Sequence, residues 1–516
     1  MPIATDARKL DNVTVVVLGA SGDLAKRKIY PALFSLYQEG LKPKTWTIIG
    51  YARSELSDED LKKRVTPFMP KPDGRDRSSS NSVPPSPNST GPKKKEEPLT
   101  LEQKLEKFFE DCHYVQGSYD EQQDYERLNK EIEKYEEGKK SNRLFYLSLP
   151  PNVFLDAANN LGEFCKTKSG GWNRIVIEKP FGRDLASFQE LSEGLNKSFN
   201  SHEIYRIDHF VGKEVVQNLN VLRFANVIFD PLWHRSNIKC VQIIFKEQLG
   251  VEGRGGYFDH YGMIRDVVQN HLMQILCLVC MEPPVSLSPE DINAEKIKLL
   301  KAISKIDKED FVIGQYRAKN ISGKEYPGYL DDETVDNNSI TETFAACVLK
   351  IKNRRWDGVP ILMKAGKALD EKVLEVRIQF KDVPGNLYTE HKVSPNELVI
   401  RIQPDEAIYF KIMNKIPGYT DRLTESLLDF TYKDQKKSIN IPEAYARLMC
   451  DVLIGNENNF ISEEELSLSW KIFDPVLEQM EKLHMTPEPY AFGSRGPVEA
   501  DYLAARHGVK WSETEK

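Results

Sequence analysis

The stretch that decides the fold is Val-Thr-Val-Val-Val-Leu-Gly-Ala-Ser-Gly-Asp-Leu-Ala, residues 13–25. Its first six residues carry no charge and are mostly β-branched, which is typical of a buried parallel strand. Glycines then make a turn, helical spacing follows over residues 23–39, and residues 45–49 are expected to form a second strand that stops at Gly50. A β-α-β unit of this kind predicts a doubly wound α/β domain.

Further strands are predicted at residues 143–149 and 174–178, after which the pattern changes. Helical spacing dominates from residue 206 to about 300, around one strand at 241–246. Strand-like stretches then cluster at residues 341–350, 375–380, 397–403, 407–412 and 427–432. Strands that follow one another without helices indicate an antiparallel sheet, so the second domain is predicted to be α+β. We place the boundary after residue 206, giving domains 1–206 and 207–516, and we expect the Pro- and Ser-rich residues 70–98 to be a flexible surface insertion.

Length and composition fit a folded protein of two or three domains: the chain has 516 residues, of which 40% are hydrophobic, and a formal net charge of -7. The mixed charge offers no basic patch for nucleic acid. The N-terminus lacks the pattern of a secretory signal and no run is long and apolar enough to cross a bilayer, so we expect a soluble cytoplasmic protein without membrane contact. The close pair Cys277 and Cys280 has no second pair to complete a metal site, so both are assigned to core packing and no metal is predicted.

The turn after the first strand is a candidate nucleotide site, because glycines let the backbone approach a pyrophosphate and the following helix begins with unpaired N–H groups. Its spacing departs from Gly-x-Gly-x-x-Gly, so an ordinary tight turn remains an alternative. After the second strand, Arg53 and Ser54 stand where a site for NAD would have an acidic residue. Arg53 can pair with a 2′-phosphate, so NADP is favoured over NAD. Lys28 adds local positive charge, although a solvated lysine would explain it equally well.

Three further segments carry candidate chemistry. Lys179 follows an apolar strand, where ligands gather in open α/β sheets, although a strand end returning to solvent is the plainer explanation. In Arg-Ile-Asp-His-Phe-Val-Gly-Lys-Glu, residues 206–214, helical spacing would place His209 and Lys213 on one face for a phosphate, with Asp208 turned away. His271 falls on the apolar stripe of the helical run 262–273, where it is either a neutral general base or a packing residue. Asp266, five positions earlier, shares the face of His271 poorly, so Asp208 is the better acid partner, and together they predict hydride transfer from an alcohol.

The motifs at residues 19–25, 178–182, 206–214, 253–259, 265–271 and 366–369 occur in the order seen in the glucose-6-phosphate dehydrogenase family, which the chain resembles from about residue 13 to 508. The resemblance implies oxidation of glucose 6-phosphate at C1 to the 6-phosphogluconolactone, with NADP as the acceptor, in the oxidative pentose phosphate pathway. It makes residues 1–206 the NADP-binding Rossmann-like domain and residues 207–516 the domain for substrate binding and oligomerisation. It also implies homodimers or homotetramers.

The resemblance assigns His271 as the general base, Asp208 as its partner and Lys179 as the lysine between sugar and nicotinamide. Substrate positions carried over are Lys179, His209, Phe210, Val211, Gly212, Lys213, Glu247, Asp266, Lys367, Lys372 and Gln403. Cofactor positions are Gly19, Ala20, Ser21, Gly22, Asp23, Leu24, Ala25, Lys26, Arg27, Lys28, Arg53, Phe154 and Lys179. Positions that match a second, structural NADP are Lys364, Arg377, Arg401, Tyr409, Lys411, Asp429, Thr431, Arg495 and Trp511.

Several positions depart from the family pattern. Phe210 and Phe154 replace tyrosines, so one hydroxyl donor to the phosphate is missing. In the second cofactor site Lys364 replaces an arginine, Val373 a lysine and Trp511 a tyrosine. Two other functions compete: a dehydrogenase of another sugar phosphate or of free hexoses, and a catalytically inactive NADP sensor. The cationic residues argue for a phosphate, and a sensor has no need of a base.

Overall fold

The computed structural model describes residues 6–70, 99–389, 393–431 and 441–512. They divide into two compact units: unit 1 comprises Met1–Phe181, Glu190–Gly212 and Ser438–Ile461, and unit 2 comprises Gly182–Gln189, Lys213–Lys437 and Ser462–Lys516. This division differs from the predicted cut after residue 206, because a segment from far along the chain returns to unit 1. Of the predicted insertion 70–98, all but its first residue lies outside the described residues.

Unit 1 is built on a six-stranded sheet in which every neighbouring pair is parallel. The strands are β1 Val13–Leu18, β2 Trp46–Ala52, β3 Cys112–Gln116, β4 Asn142–Leu147, β5 Asn173–Ile177 and β6 Ile204–Arg206. Their order is β3-β2-β1-β4-β5-β6. This is the order of a Rossmann sheet, whose crevice for ligands lies where the winding reverses, between β1 and β4. The predicted doubly wound domain is confirmed.

Strand β2 does not stop at Gly50, as the sequence suggested, but continues to Ala52. Gly50 lies inside the strand because a Cβ atom there would be 2.6 Å from the Tyr30 hydroxyl oxygen and 2.9 Å from Ala20 Cβ. The glycine therefore serves close packing of the first helix and its turn against the sheet, rather than the end of a strand.

Helices cover the sheets of both units. The α-helices are Tyr30–Gln38, Asp58–Val65, Leu101–Glu110, Gln122–Glu136, Phe154–Phe164, Leu185–Ser198, Glu214–Phe224, Phe229–Leu232, Gly255–Asp259, Met273–Cys280, Pro289–Lys301, Ala444–Ile454, Glu463–Lys482 and Glu499–Arg506. Two π-helices, Ala25–Ile29 and Ile264–Leu272, run directly into α-helices. Short 3₁₀ turns are at Ala7–Lys9, Thr66–Phe68, Pro151–Val153, Ser201–Glu203, Lys308–Asp310 and Tyr329–Asp331.

Unit 2 contains a nine-stranded sheet and a small hairpin. The strands are β7 Ile238–Lys246, β8 Phe311–Arg317, β9 Lys319–Ile321, β10 Lys324–Tyr326, β11 Phe344–Lys350, β12 Pro360–Gly366, β13 Val373–Phe380, β14 Glu397–Gln403, β15 Ala407–Lys415, β16 Leu423–Thr431 and β17 Glu488–Ala491. The large sheet has the order β16-β15-β14-β13-β7-β12-β11-β8-β17, and β9 pairs with β10. Only the β7–β12 and β8–β17 pairs among these are parallel, so the predicted, mainly antiparallel sheet is confirmed.

Within the described residues, no helix is long and apolar enough to cross a membrane. All seven cysteines are free thiols. Cys277 and Cys280 are fully buried, and burial raises the pKa of Cys280 to about 12. Both are therefore core residues, as the sequence predicted.

Candidate active site

The turn between β1 and the first helix lies at the carboxyl edge of the parallel sheet. The Gly19 and Ala20 amides donate to the carbonyl of Tyr51, at 2.8 and 3.3 Å, and the Gly22 amide donates to Gly19 at 2.8 Å. Gly19 has φ +76°, and a Cβ atom on it would lie 2.1 Å from the carbonyl oxygen of Ser148. Since these amides are used to shape the turn, a pyrophosphate would be bound from Ser21 onward, at the start of the helix.

The end of β2 carries the predicted phosphate-recognition pair. Arg53 is exposed, and its guanidinium lies 5.4 Å from the centre of the Tyr119 ring. Ser54 Oγ donates to Ser21 Oγ at 3.3 Å, which joins the two loops that follow β1 and β2. The two loops that would bind a dinucleotide are thus connected by a hydrogen bond. Arg53 lies next to them, and its guanidinium is exposed to solvent.

Two predicted cofactor residues are placed differently from expectation. Lys28 forms an ion pair with Glu443, so its charge is already met within unit 1. Phe154 is fully buried, so its ring has no exposed surface to offer a cofactor. Asp23 pairs with Arg27 at 2.9 Å and with Lys26 at 3.1 Å, and these two cations hold the pKa of its carboxyl below the usual range. The charges of Lys26 and Arg27 are therefore partly neutralised by Asp23 of the same turn.

Residues 206–213 are not helical, so the helical spacing of His209 and Lys213 does not apply. Arg206 ends β6, residues 207–213 form turns, and the next helix begins at Glu214. The carboxylate of Asp208, which is 2% exposed, accepts the Phe210 amide at 2.9 Å, and its carbonyl accepts the Val211 amide at 3.2 Å. Aspartate side chains commonly stabilise such turns in place of a helix.

Gly212 is required by the segment that returns from far along the chain. A Cβ atom at Gly212 would lie 2.8 Å from the carbonyl oxygen of Ala444 and 3.0 Å from Leu448 Cγ, in the helix Ala444–Ile454. The same helix contributes Tyr445, whose ring stacks on His209 with the centres 5.8 Å apart. Packing against this helix thus fixes the backbone and the imidazole of the string.

The buried carboxyl group of Glu178, which follows β5, links β4 to the helix Ala444–Ile454. The Tyr146 hydroxyl donates to Glu178 Oε1 at 2.5 Å, and Tyr445 also hydrogen bonds to Glu178. Burial raises the pKa of Glu178 to about 7, the nearby charge of Asp208 raises it further, and Lys179 and the two hydroxyls oppose the rise. Lys179 itself precedes a cis Lys179–Pro180 peptide bond at the carboxyl end of β5. Unit 1 therefore brings Lys179, Asp208 and His209 to one edge of the sheet, together with Glu178, Tyr146 and Tyr445, to which sequence reasoning gave no role.

In unit 2, His271 lies in the π-helix Ile264–Leu272, which continues as the α-helix Met273–Cys280. His271 is 2% exposed, as its place on the apolar stripe predicted. Hydrogen bonds in a π-helix join residues five apart, so Asp266 lies closer to the side of His271 than α-helical spacing suggested. The Asn270 side chain accepts the His271 amide at 2.6 Å and donates to the carbonyl of Arg265 at 2.9 Å.

The buried C-terminus of this helix is held by side chains from other elements. Arg223 donates to the carbonyls of Leu278 and Met281, at 2.6 and 2.5 Å. The indole N–H groups of Trp233 and Trp356 donate to Val279 and Cys280, both at 2.8 Å. Buried helix ends need such partners, because the last carbonyls have none within the helix.

Four of the remaining substrate candidates of unit 2 form one hydrogen-bonded pair and one ion pair. Lys213 Nζ donates to Gln403 Oε1 at 3.1 Å, and Lys367 Nζ pairs with Glu247 Oε2 at 2.5 Å. Lys372 is exposed at the start of β13. The structure thus joins four of the predicted residues in two pairs.

The residues that match a second NADP lie on and beside the large sheet. Lys364, 4% exposed, points its ammonium at the Trp511 ring, 4.5 Å from the ring centre. Arg377, 1% exposed, pairs with Glu375 at 2.6 Å and Glu397 at 2.9 Å. The others are more exposed or engaged locally: Arg401 donates to the Asp405 carbonyl at 3.1 Å, Lys411 lies 3.6 Å from Glu425, Tyr409 is half-buried, and Asp429 and Arg495 are exposed. The side chain of Thr431 lies outside the described residues.

A Rossmann sheet with a glycine turn at its switch point is suited to bind a dinucleotide. The second unit contains a buried histidine and two lysines that are hydrogen bonded to neighbouring side chains. These features define the class of NADP-dependent oxidoreductases. Residues 16–218 match the model of the glucose-6-phosphate dehydrogenase NAD binding domain, and residues 220–512 match that of the glucose-6-phosphate dehydrogenase C-terminal domain. The chain belongs to the glucose-6-phosphate dehydrogenase family.

Full-length relatives agree with this assignment. The chloroplastic glucose-6-phosphate 1-dehydrogenase 3 of Arabidopsis thaliana is 48% identical over 511 residues, covering 98% of this chain and 81% of the relative. Glucose-6-phosphate 1-dehydrogenase 2 of Mus musculus is 46% identical, covering 98% and 93%. A solved glucose-6-phosphate dehydrogenase in complex with its substrate glucose-6-phosphate has a TM-score of 0.88 at 45% identity, covering 99% of this chain and all of the other.

The predicted cytoplasmic location is contradicted by these relatives. Those from Arabidopsis thaliana, Solanum tuberosum, Nicotiana tabacum and Spinacia oleracea, at 44–48% identity, are chloroplastic. The family to which the chain belongs therefore does not determine a cellular compartment.

Proposed function

We propose that the chain oxidises glucose 6-phosphate at C1 to 6-phosphoglucono-1,5-lactone with NADP, the first step of the oxidative pentose phosphate pathway, and that His271 is the general base. The observation that carries the role of His271 is its burial in a helix whose buried C-terminal carbonyls are capped by three side chains. A base held in this way keeps one orientation toward its substrate. NADP, when bound, accepts the hydride from C1.

The residues then have separate tasks. His271 removes the proton of the C1 hydroxyl as the carbonyl forms, and Asp208 stabilises the imidazolium that results. Lys179, at the carboxyl end of β5, orients the sugar beside the nicotinamide. Glu247, Asp266, Lys367 and Gln403 bind sugar hydroxyls, for which charged and amide side chains are suitable partners.

The phosphate of the substrate is assigned to His209, Lys213 and Lys372. The stacking of His209 on Tyr445 supports a fixed imidazole for this task. Phe210, buried beside it, supplies no hydroxyl, so Val211 and Gly212 contribute through their backbone. Binding of the phosphate therefore depends on the three cationic groups.

The proposed function is tested by following NADPH formation with glucose 6-phosphate and with glucose in parallel. We expect turnover with glucose 6-phosphate and a far lower kcat/KM with glucose, because glucose lacks the anion that these cations bind. Equal rates with both sugars would instead identify a hexose dehydrogenase. An absence of NADPH in both assays would favour the NADP sensor.

Arg53 is expected to determine the preference for NADP over NAD, because its exposed guanidinium can pair with the 2′-phosphate. Arg53→Ala should raise the KM for NADP by roughly 10- to 100-fold, the effect of a lost charge-assisted hydrogen bond. The KM for NAD should change little. Steady-state kinetics with both cofactors measures this, and Arg64→Ala, an exposed arginine on the following helix, is the control. An equal loss for NADP and NAD would contradict the assignment.

The residues that match a second NADP fit an anionic group. Burial lowers the pKa of Lys364 to about 7, and the like charges of Lys246 and Arg495 lower it further, whereas Asp501 and Asp370 oppose the effect. Arg377 Nη2 is buried and donates to none of the described residues. A bound phosphate would compensate these cations, so we assign Lys364, Arg377 and Trp511 as its principal partners. There NADP would supply negative charge and no chemistry.

Binding at this second site is expected to take up a proton. The pKa of Lys364 in the folded protein, about 7, lies below the ordinary lysine pKa of 10.5, so the unliganded protein gains stability as pH rises above 7 and loses it as pH falls toward 7. NADP prefers the charged lysine, so its affinity should increase as pH falls from 9 to 7. Thermal shifts with NADP in the Arg53→Ala background measure this, and Lys364→Met should abolish the pH dependence while Lys352→Met, an exposed lysine, should not. The same pH-dependent shift in Lys364→Met would contradict the site.

We also propose that the chain forms a homodimer or homotetramer. Strand β16 is an edge of the large sheet, and Leu427 and Leu428 on it are more than half exposed. An apolar edge strand of this kind is suited to cover by a second copy.

A further inference from the structure

We infer that Glu342 is a positioning residue for the proposed reaction: its side chain caps the N-terminus of the helix Ile264–Leu272 and thereby holds His271 in place. The inference rests on the proposed role of His271 as the base. Glu342 lies two residues before β11.

The first evidence is the set of hydrogen bonds at the start of the helix. Glu342 Oε1 accepts the Ile264 amide at 3.1 Å, and the carbonyl of Glu342 accepts the Met263 amide at 3.0 Å. One residue thus binds two consecutive amides that have no partner within the helix. Glu342 is 4% exposed, so water does not compete readily for these bonds.

The backbone before the helix is shaped to receive this carboxyl group. Gly262 has φ +69°, and a Cβ atom on it would lie 2.4 Å from Glu342 Oε1 and 2.5 Å from Oε2. Any other residue at 262 would displace the side chain of Glu342. A negative charge at this end is also favoured by the partial positive charge of the helix N-terminus.

Both ends of the helical segment that contains His271 are therefore bonded to other elements. Glu342 holds the N-terminal amides, and Arg223, Trp233 and Trp356 hold the C-terminal carbonyls. Releasing one end would let the segment shift along its axis. Displacement of a catalytic group by about 1 Å costs on the order of 100-fold in rate.

The charge of Glu342 gives this cap a dependence on pH. Burial raises the pKa of Glu342 to about 7, while the Ile264 amide and the positive charge of Arg265 on the same helix oppose the rise. Tyr329, whose hydroxyl donates to Asp259, is also near Glu342, and the carboxyl groups of Asp259 and Glu342 raise the pKa of Tyr329. Glu342 therefore ionises as pH rises through about 7, and the ionised carboxylate is the stronger acceptor for the helix amides.

The experiment compares Glu342→Gln and Glu342→Ala with Glu333→Gln, an exposed glutamate in the same connection, by kcat, KM and their pH profiles. Glu342→Ala should lower kcat by roughly 10- to 100-fold with little change in KM, since the base is displaced and the ligand groups are not. Glu342→Gln keeps the acceptor and the shape, so it should retain most of kcat at pH 8. The acid limb of the kcat pH profile of Glu342→Gln should lack the titration of Glu342, which should be present in the unaltered protein and in Glu333→Gln.

Hydrogen exchange of the peptide 262–272 gives a second readout in the same proteins. Faster exchange in Glu342→Ala, with unchanged exchange of the C-terminal part of the segment, would support the cap. Full kcat in Glu342→Ala, or an identical acid limb in Glu342→Gln and the unaltered protein, would overturn the inference. His271→Asn is assayed in parallel: if it remains active, the proposed function itself fails, and if it is inactive while Glu342→Ala is fully active, only the role of Glu342 fails.

Discussion

His271→Asn is expected to lower kcat by roughly 10²- to 10⁴-fold, the range for loss of a general base, and to leave binding of glucose 6-phosphate nearly unchanged. The hydroxyl proton would then have no acceptor in position, whereas the phosphate is bound by other residues. Single-turnover kinetics measures the first effect and calorimetric titration with glucose 6-phosphate the second. His260→Asn, an exposed histidine in the same part of the sequence, is the control. Retained turnover in His271→Asn would rule out its role as the base.

The same measurement tests the partnership with Asp208. Asp208→Asn should lose most of the activity that His271→Asn loses, because the base would no longer be oriented or its cation stabilised. If the two residues act as one unit, the double variant should lose little more than His271→Asn alone. Additive losses would show that Asp208 serves another purpose, such as the turn whose amides it accepts.

The largest effect on stability is expected from Glu136→Ala. This substitution would leave the guanidinium of Arg143, a residue of β4, buried without its anionic partner. Arg143, 2% exposed, donates to both oxygens of Glu136, at 2.8 and 2.6 Å. Removing one partner of a buried ion pair costs about 3–5 kcal/mol, because the remaining charge is uncompensated. Urea unfolding, with hydrogen exchange of β4 as the probe, measures the change in the free energy of unfolding. Glu126→Ala, at an exposed position on the same helix, should shift the midpoint little, and an equal shift in both variants would contradict the argument.

Local patterns predicted β1, β2, β4 and β5, because these strands are largely buried and mostly apolar. Strands β3 and β6 were not predicted, since β3 is partly exposed and contains polar residues and β6 has only three residues. The sequence failed where an apparent stop signal served packing, as at Gly50, whose missing side chain makes room for Tyr30 and Ala20. Strand β12 was missed for the opposite reason. It begins at Pro360 and contains Lys364, so neither alternation nor an unbroken apolar run marks it.

The candidate site shows the same division. His271 lies in a helix and Lys179 follows the end of β5, so helical periodicity and the strand end were enough to single out both residues as candidates. The string 206–214 was misjudged because its charged residues fit a helix start, whereas the turn depends on hydrogen bonds made by the Asp208 side chain. Tyr445 could not be found from its neighbours, since its place beside His209 comes from a segment more than two hundred residues away. Glu342 was missed because nothing in its own surroundings indicates that it faces a distant helix.

The return of the helix Ala444–Ile454 to unit 1 has a consequence for the order in which the protein is made. Its buried side chains, including Leu448 and Val452, belong to the same core as Val15 and Phe34 near the other end of the chain. During translation, the whole of Lys213–Lys437 must therefore be synthesised before the core of unit 1 can be completed. At usual rates of translation this takes on the order of ten seconds or more. During that time the apolar surface of unit 1 that packs against the helix Ala444–Ile454 remains exposed. Neither unit can therefore complete its core early in synthesis, because unit 1 requires residues up to Ile461 and unit 2 requires residues that follow it.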